Sequence, residues 1–444
     1  MANTADRVPE PGSPPEPLST GPAPLVACAD CGLLQTLPPG PPDTVTECCR
    51  CRYVFTDPAR CSIDVAFGSS VAALLLLLPA VLLPLMTLSS LGASHRSFIP
   101  TGVEVLWDAG FLSLAGIMCL FSLVFPFLYL GLMIWVLWSV RSPATQPHRT
   151  VPPSRAAAIP LTNRLFRWAL ALRPWVMVEV YVVGCCVAYT RLEAIGSVTV
   201  GTGGWCLLGA ALALVFGTAK LDGRVIWDAL PAGERTVADK AATAGADPIS
   251  CSTCQLLHDA GHEHQPCSRC GTHLRRRKFD TKARTLALVL CGYLLYLPAN
   301  VLPVLSIDRF GSSDTNTIIG GVRELITNGL WPLAVIVFAA SIAVPLLKLL
   351  GLSGMLLLTH RRSPRWLLGR TRLYRFIDFI GRWSNIDLFM ISILVALVRF
   401  GTLTSVHAQP GAIAFAAVVV ITMLASHSFD SRVMWDASGG SRGT

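Results

Sequence analysis

Residues 66–88, AFGSSVAALLLLLPAVLLPLMTL, and 284–305, RTLALVLCGYLLYLPANVLPVL, decide the architecture. Each is an apolar run long enough to cross a hydrocarbon core of about 30 Å, which takes roughly 20 helical residues. Laid over one another at a shift of 219, Leu78-Pro79-Ala80 falls on Leu297-Pro298-Ala299 and Pro84 on Pro303. The same shift puts Gly102-Val103 on Gly321-Val322, Gly110 on Gly329 and Pro126 on Pro345 without a gap. After the Pro-rich segment 142–160 the shift becomes 208. It then matches Trp175 with Trp383, Glu179 with Asp387, Arg191 with Arg399, Asp222 with Asp430, Arg224-Val225 with Arg432-Val433, and Trp227-Asp228-Ala229 with Trp435-Asp436-Ala437. Coincidence does not produce that series, so the chain is a duplication.

Further spans are expected near 111–138, 168–190, 203–219, 330–358, 376–398 and 411–427, making eight in all. Prolines inside them are tolerated where neighbouring groups satisfy the freed carbonyls. Composition agrees: 52% of the 444 residues are hydrophobic and 14% charged, against about 25% charged in an ordinary soluble protein. The mean hydropathy is +0.55. The net charge of +9 reads as topology rather than as a nucleic-acid footprint, because basic residues collect in the loops that stay inside. Arg141, Arg149, Arg155, Arg164 and Arg167 follow the second span, and Arg361, Arg362, Arg365, Arg370, Arg372 and Arg375 the sixth. Those loops are expected in the cytoplasm, with both termini, and the basic-poor loops near 89–107, 191–202, 306–329 and 399–410 on the other side. Each half then has four spans in the same orientation. Such parallel repeats, related by a pseudo-two-fold axis along the membrane normal, are a plan used by transporters.

Ahead of each half stands a pair of CxxC elements: Cys28, Cys31, Cys48 and Cys51, then Cys251, Cys254, Cys267 and Cys270. Four thiolates at this spacing suit tetrahedral coordination by a small ribbon folded around its metal. A reducing cytoplasm argues against disulfides and for zinc, with iron in a rubredoxin-like site as the alternative. Cys49 is a possible swap for Cys48. The other cysteines read as packing residues, and His258, His262 and His264 as solvated loop residues. The expected layout is a disordered Pro-rich start at 1–24, without a signal peptide, and zinc-ribbons at 25–60 and 249–275. Transmembrane repeats occupy 61–229 and 276–437, a linker 230–248 and a flexible tail 438–444. The fold class is an all-α polytopic membrane protein with two tandem four-helix transmembrane repeats, each preceded by a small cytoplasmic four-cysteine zinc-ribbon.

Polar residues within the spans concentrate in the second half: Asn300, Lys348, Ser384, Asn385, Asp387 and Arg399. A charge at the bilayer centre costs from roughly 3 to over 10 kcal/mol, so it normally faces a partner or a wet cavity. Lys348 and Asp387 are candidates to pair, either as a buried strut or as a polar pocket for a substrate headgroup or a proton. Arg191 and Arg399 are candidates to snorkel outward. The first half has Tyr129 for Lys348, Val176 for Ser384, Met177 for Asn385 and Val81 for Asn300, with Glu179 alone retaining a charge. No GxxxxGK[ST] or HExxH motif is present, so a P-loop ATPase is not expected and a catalytic reading is poor.

A CxxC pair, Leu297-Pro298-Ala299-Asn300-Val301-Leu302-Pro303, Gly321-Val322, Pro345-Leu346-Leu347-Lys348-Leu349-Leu350-Gly351 and Trp383-Ser384-Asn385-Ile386-Asp387-Leu388-Phe389, in a duplicated frame over residues 25–437, resemble the paraquat-inducible protein A family. The second half matches better than the first, which lacks the Lys and has Pro174-Trp175-Val176 in place of Trp-Ser. The resemblance implies a multi-pass inner-membrane protein of a double-membraned bacterium, not an enzyme. It would exchange phospholipid with a mammalian-cell-entry (MCE) domain partner that forms a tunnel across the periplasm. Two other roles stay open at this stage: a membrane-anchored metal or redox sensor, and a passive anchor for the tunnel protein.

Overall fold

The computed structural model describes residues 25–37, 44–56, 62–90, 93–141, 160–193, 196–230, 248–309, 312–327, 329–361, 366–398 and 404–439. The start at 1–24, the linker residues 231–247, the tail residues 440–444 and Arg399 lie outside them. Among the described residues, eight mostly continuous helical segments are long and apolar enough to cross a membrane: Ile63–Leu82, Leu112–Arg141, Leu161–Glu193, Thr202–Ala219, Thr281–Val301, Trp331–His360, Leu367–Leu397 and Pro410–Ser428.

In the first half, β1 (Leu25–Ala27) with β2 (Leu34–Thr36) and β3 (Thr46–Glu47) with β4 (Val54–Thr56) make the hairpins of the first ribbon. There follow α1 (Ile63–Leu82), β5 (Met86–Ser90), β6 (Ala93–Ser97), α2 (Ile99–Asp108), α3 (Leu112–Cys119), α4 (Phe125–Arg141), α5 (Leu161–Leu172), α6 (Val178–Glu193), β7 (Ser197–Val200), α7 (Thr202–Ala219) and α8 (Gly223–Ala229). The second half repeats the order. It runs through β8 (Ile249–Ser250), β9 (Leu257–His258), α9 (Thr281–Val301), β10 (Leu305–Arg309), β11 (Ser312–Asn316), α10 (Ile318–Thr327), α11 (Trp331–Phe338), α12 (Val344–His360), α13 (Leu367–Ile380), α14 (Ile386–Leu397), β12 (Thr404–Ala408), α15 (Pro410–Ser428) and α16 (Arg432–Ala437).

Irregularities repeat as faithfully as the helices. A π-helical turn occupies Leu120–Val124 and again Ala339–Ala343, just before Pro126 and Pro345. A proline cannot donate to the carbonyl four residues back, and a wider turn accommodates the break. A 3-10 turn at Arg173–Trp175 has its counterpart at Gly381–Asn385. The helix α1 ends at Leu82 and α9 at Val301 because Pro84 and Pro303 restrict the residue before them to extended backbone. The Pro84 and Pro303 carbonyls then accept the amides of Gly203 (3.1 Å) and Gly411 (3.0 Å). A Cβ at either glycine would collide with the backbone oxygens it approaches.

One feature departs from an all-α reading. In each half the hairpin after the first span pairs with a strand from the loop before the fourth, giving three-stranded antiparallel sheets ordered β6-β5-β7 and β11-β10-β12. Strands of four or five mixed residues, such as Met86–Ser90 and Ser197–Val200, carry too short an alternation to stand out beside 20-residue apolar runs. The sheets lie at the ends of the spans remote from the ribbons.

The core runs between the halves. Helix α1 packs along α7 and α9 along α15 within a half, whereas α6 packs against α14 across halves. All twelve residues of α14 are buried. Two contacts there join residues to their own counterparts at the shift of 208: Tyr181 and Phe389, with ring centroids 4.8 Å apart, and Met177 and Asn385. Self-counterpart contacts are what a two-fold axis produces, so the pseudo-axis passes between α6 and α14. Gly184 permits the approach, since a Cβ there would lie 2.9 Å from Phe389 Cβ. Gly184→Leu is expected to lower stability by about 1–3 kcal/mol through overpacking, read as a lower melting temperature in detergent. Gly116→Leu, with open space at its Cβ, should leave that temperature nearly unchanged.

Candidate functional site

Each ribbon is built from knuckles of one local design. The residue after the second cysteine of every CxxC has positive φ: Gly32 (72°), Arg52 (56°), Gln255 (59°) and Gly271 (72°). Its amide returns to the carbonyl of the first cysteine at 2.9, 2.9, 3.0 and 2.9 Å respectively. That tight turn aims two sulfurs at one point. The closest Sγ pairs are Cys28–Cys51 at 3.4 Å, Cys31–Cys48 at 3.6 Å, and Cys251–Cys270 and Cys254–Cys267 at 3.5 Å. All four sulfurs of each set lie within 4.8 Å of one another. A tetrahedron of thiolates at about 2.3 Å from an ion has edges of about 3.8 Å, so each buried set of four cysteines fits one metal ion. Hydrogen bonds from Cys28 and Cys31 hold the Cys51 thiol below the usual thiol range, against its burial.

Two details correct the sequence reading. Cys49 is exposed and its thiol donates to Gln35 Oε1 (3.4 Å), so it is no substitute for Cys48. His258 is buried, not solvated: its Nε2 lies 3.3 Å from Cys267 Sγ, where an N–H relieves thiolate charge. The hairpin β8–β9 folds it inward, which composition does not foretell.

The ribbons dock crosswise. The first ribbon precedes the first repeat in the chain but sits on the second: Arg375 of α13 reaches Asp30 (2.7 Å) and the Cys51 carbonyl (3.2 Å), Ser431 donates to the Asp30 carbonyl (2.9 Å), and Arg50 stacks on Trp435 at 4.5 Å. Burial raises the Asp30 carboxyl above the ordinary carboxylate range, against the pull of the Arg375 guanidinium. The second ribbon sits on the first repeat. Asn163 of α5 donates to the Arg269 carbonyl (2.8 Å), Arg167 to the Cys270 carbonyl (3.3 Å), and Arg269 pairs with Asp228 of α8 (3.0 Å). The ribbons meet each other through Arg224, which stacks on Phe55 (4.6 Å) and donates to Gln255.

Within the membrane the polar residues separate into distinct places. Lys348 of α12 is fully buried. Its Nζ donates to the Gly381 carbonyl at 2.9 Å, with the hydroxyls of Ser384 and Thr422 farther off at 3.5 Å. The 3-10 turn at Gly381–Asn385 makes this possible by leaving a carbonyl outside the regular α-helical ladder. Lys348 and Asp387 do not pair. Asp387, in the first turn of α14, is buried with Oδ1 unpartnered, and the charge facing it is Arg191 of α6, whose Nε is also unpartnered. Both line a small cavity of about 40 Å³ between the halves, bounded also by Thr317 and Gly321. Arg191 is thus turned inward, not snorkelled. Asn385 lies between Met177 and Met423, with its amide nitrogen 2.6 Å and 3.8 Å from their sulfurs. Asn300 donates to the Tyr296 carbonyl one turn back (2.8 Å) and makes no hydrogen bond to Lys348 among the described residues. Thr422 and Gly381 escaped sequence reading: a threonine in an apolar helix and a glycine at a turn carry no signal until the lysine reaches them.

Comparison with known proteins identifies the frame that holds these groups. The family model described as paraquat-inducible protein A matches residues 65–231 and 283–438, one copy on each half. The chain belongs to the paraquat-inducible protein A family. It is 31% identical over 93% of its length, and 95% of the relative's, to the intermembrane transport protein PqiA of Escherichia coli K12. It is 28% identical over 94% of its length, and 92% of the relative's, to the lipophilic envelope-spanning tunnel protein A of the same organism. A probable intermembrane transport protein of Haemophilus influenzae is 25% identical, covering 95% and 98% of the two chains. No solved structure matches significantly. The paraquat-inducible protein A relatives are thus named as transport or tunnel proteins, and this member is a multi-pass membrane protein with two four-cysteine sets.

Proposed function

We propose that the chain is the inner-membrane component of a lipid transport system, passing phospholipid between that membrane and a periplasm-spanning MCE-domain tunnel partner, without catalysis. The observation that carries this reading is Lys348. A fully buried ammonium held by one carbonyl and two hydroxyls is a costly group that, among the described residues, touches no carboxylate and feels Asp378 only at a distance, and an anionic headgroup is its natural complement. Ser384 supplies one of those hydroxyls, Asn385 follows it in the same turn, and Asp387 faces the opposite repeat. The names of the relatives support the lipid and envelope context. On this reading both termini and both ribbons are cytoplasmic, and the ribbons carry zinc as structural ions, because four thiolates leave no open coordination position. The domain division expected from the sequence, with repeats at 61–229 and 276–437, belongs to the same proposal.

Photo-crosslinking in living cells tests it. Probes beside Lys348, Ser384 and Asp387 should capture phospholipid, and probes at the first-half counterparts Tyr129 and Glu179 should capture markedly less. Equal labelling at all five would make the buried polar groups structural and favour the anchor role.

A further inference from the structure

A cavity that involves both halves lies on the ribbon side, where the two counterpart 3-10 turns face one another and the first ribbon closes over them. It has a volume of about 600 Å³, within the range of roughly 300–1,000 Å³ typical of small-molecule sites. Four guanidiniums line it, those of Arg52, Arg173, Arg375 and Arg382, against the carboxylates of Asp30 and Asp378. Two of the four are engaged: Arg375 with Asp30 at 2.7 Å and Arg382 with Glu179 at 3.4 Å. Arg52, on the ribbon, and Arg173, at the end of α5, form no ion pair among the described residues. Gly381 lines the same cavity, and its carbonyl is the one that binds Lys348. The chamber therefore ends at the wall behind which the buried ammonium sits.

We infer that this chamber is an anion site for a phosphate ester, gripped between Arg52 and Arg173, and that it takes the headgroup of an anionic phospholipid before the headgroup meets Lys348. The inference rests on the lipid-transport reading and adds a first station to it. Guanidinium suits the role because its planar fork matches two phosphate oxygens at once. Two such groups from different parts of the fold make the site depend on the ribbon being seated. Asp30 and Asp378, which line the same cavity, disfavour a second negative charge, so a phosphodiester fits better than a dianionic phosphate.

The test uses the purified full chain in detergent, titrated calorimetrically with dioctanoyl phosphatidylglycerol and, separately, with inorganic phosphate. Wild type should bind the lipid more tightly than phosphate, and Arg52→Gln with Arg173→Gln should weaken lipid binding at least about tenfold, as expected for losing two charge-assisted contacts. Both arginines sit at the cavity rim, so metal content and melting temperature should hold, and Arg52→Lys with Arg173→Lys should recover part of the affinity. Inorganic phosphate binding as tightly as the lipid would overturn the lipid as source. Lipid binding unchanged in the double Gln variant but lost in Lys348→Met would overturn the chamber and leave the transport reading standing. Absence of lipid binding by wild type would sink both.

Discussion

Cys31→Ser in the full chain should halve the bound metal and strip more protection from the second repeat than from the first. A structural ion in a four-cysteine ribbon contributes on the order of 10–16 kcal/mol to the folding of its module, far beyond what a few short hairpin contacts supply. Once ribbon one unfolds, the Arg375–Asp30 pair, the Ser431–Asp30 hydrogen bond and the stacking of Arg50 on Trp435 go together. Hydrogen exchange should therefore rise in α13 and α16. In Cys254→Ser the rise should fall on α5 and α8, which hold Arg269 and Cys270 through Asn163, Arg167 and Asp228. Protection lost mainly on the same half as the mutated ribbon would contradict crosswise docking. Metal analysis of wild type should give two ions per chain, and their identity by absorption separates colourless zinc from coloured iron.

Lys348→Met should abolish lipid capture and transport, with a loss of at least about tenfold, yet leave the protein as stable as wild type or more so. The loss follows from removing hydrogen bonds to a charged group, each worth about 1.5–3 kcal/mol where the ligand makes them. The retained stability follows because an apolar residue of similar length no longer carries an ammonium out of water. Gly381→Ala is a second way to the same end. A Cβ there would lie 2.7 Å from Lys348 Cε and 3.1 Å from Nζ, so it must displace the ammonium without touching its charge. Both variants should lose lipid capture; Lys348→Met should keep its melting temperature, whereas Gly381→Ala should lower it, because the displaced ammonium stays buried. Full transport by Lys348→Met would reduce the lysine to a packing element and remove the main support for the pocket.

Crosswise docking gives the duplication a mechanical meaning. Each ribbon is covalently tied to one repeat and packed on the other, so neither half can move far without disturbing a four-cysteine module. The contact of α6 with α14 adds a second seam, with Tyr181 on Phe389 and Met177 on Asn385 marking the axis. The halves diverge at matching positions: where the first half has Met177 at that seam, the second has an amide, and where the first has Tyr129, the second has a buried ammonium.

Local and periodic features were legible from the chain alone. Eight apolar runs, two sets of four cysteines and the repeat shifts of 219 and 208 are properties of neighbouring residues. Elementary rules about span length and metal geometry convert them directly into structure. Partner choice, by contrast, emerges only when the elements pack. Spans that are apolar on all sides have no face to reveal their rotation, so no pattern of residues could say that Lys348 turns to Gly381 and Thr422 while Asp387 turns to Arg191. Likewise a ribbon's place in the chain does not set its place in space, because a linker lets it seat wherever arginines, aromatics and carboxylates complement it best, and here that surface belongs to the other half.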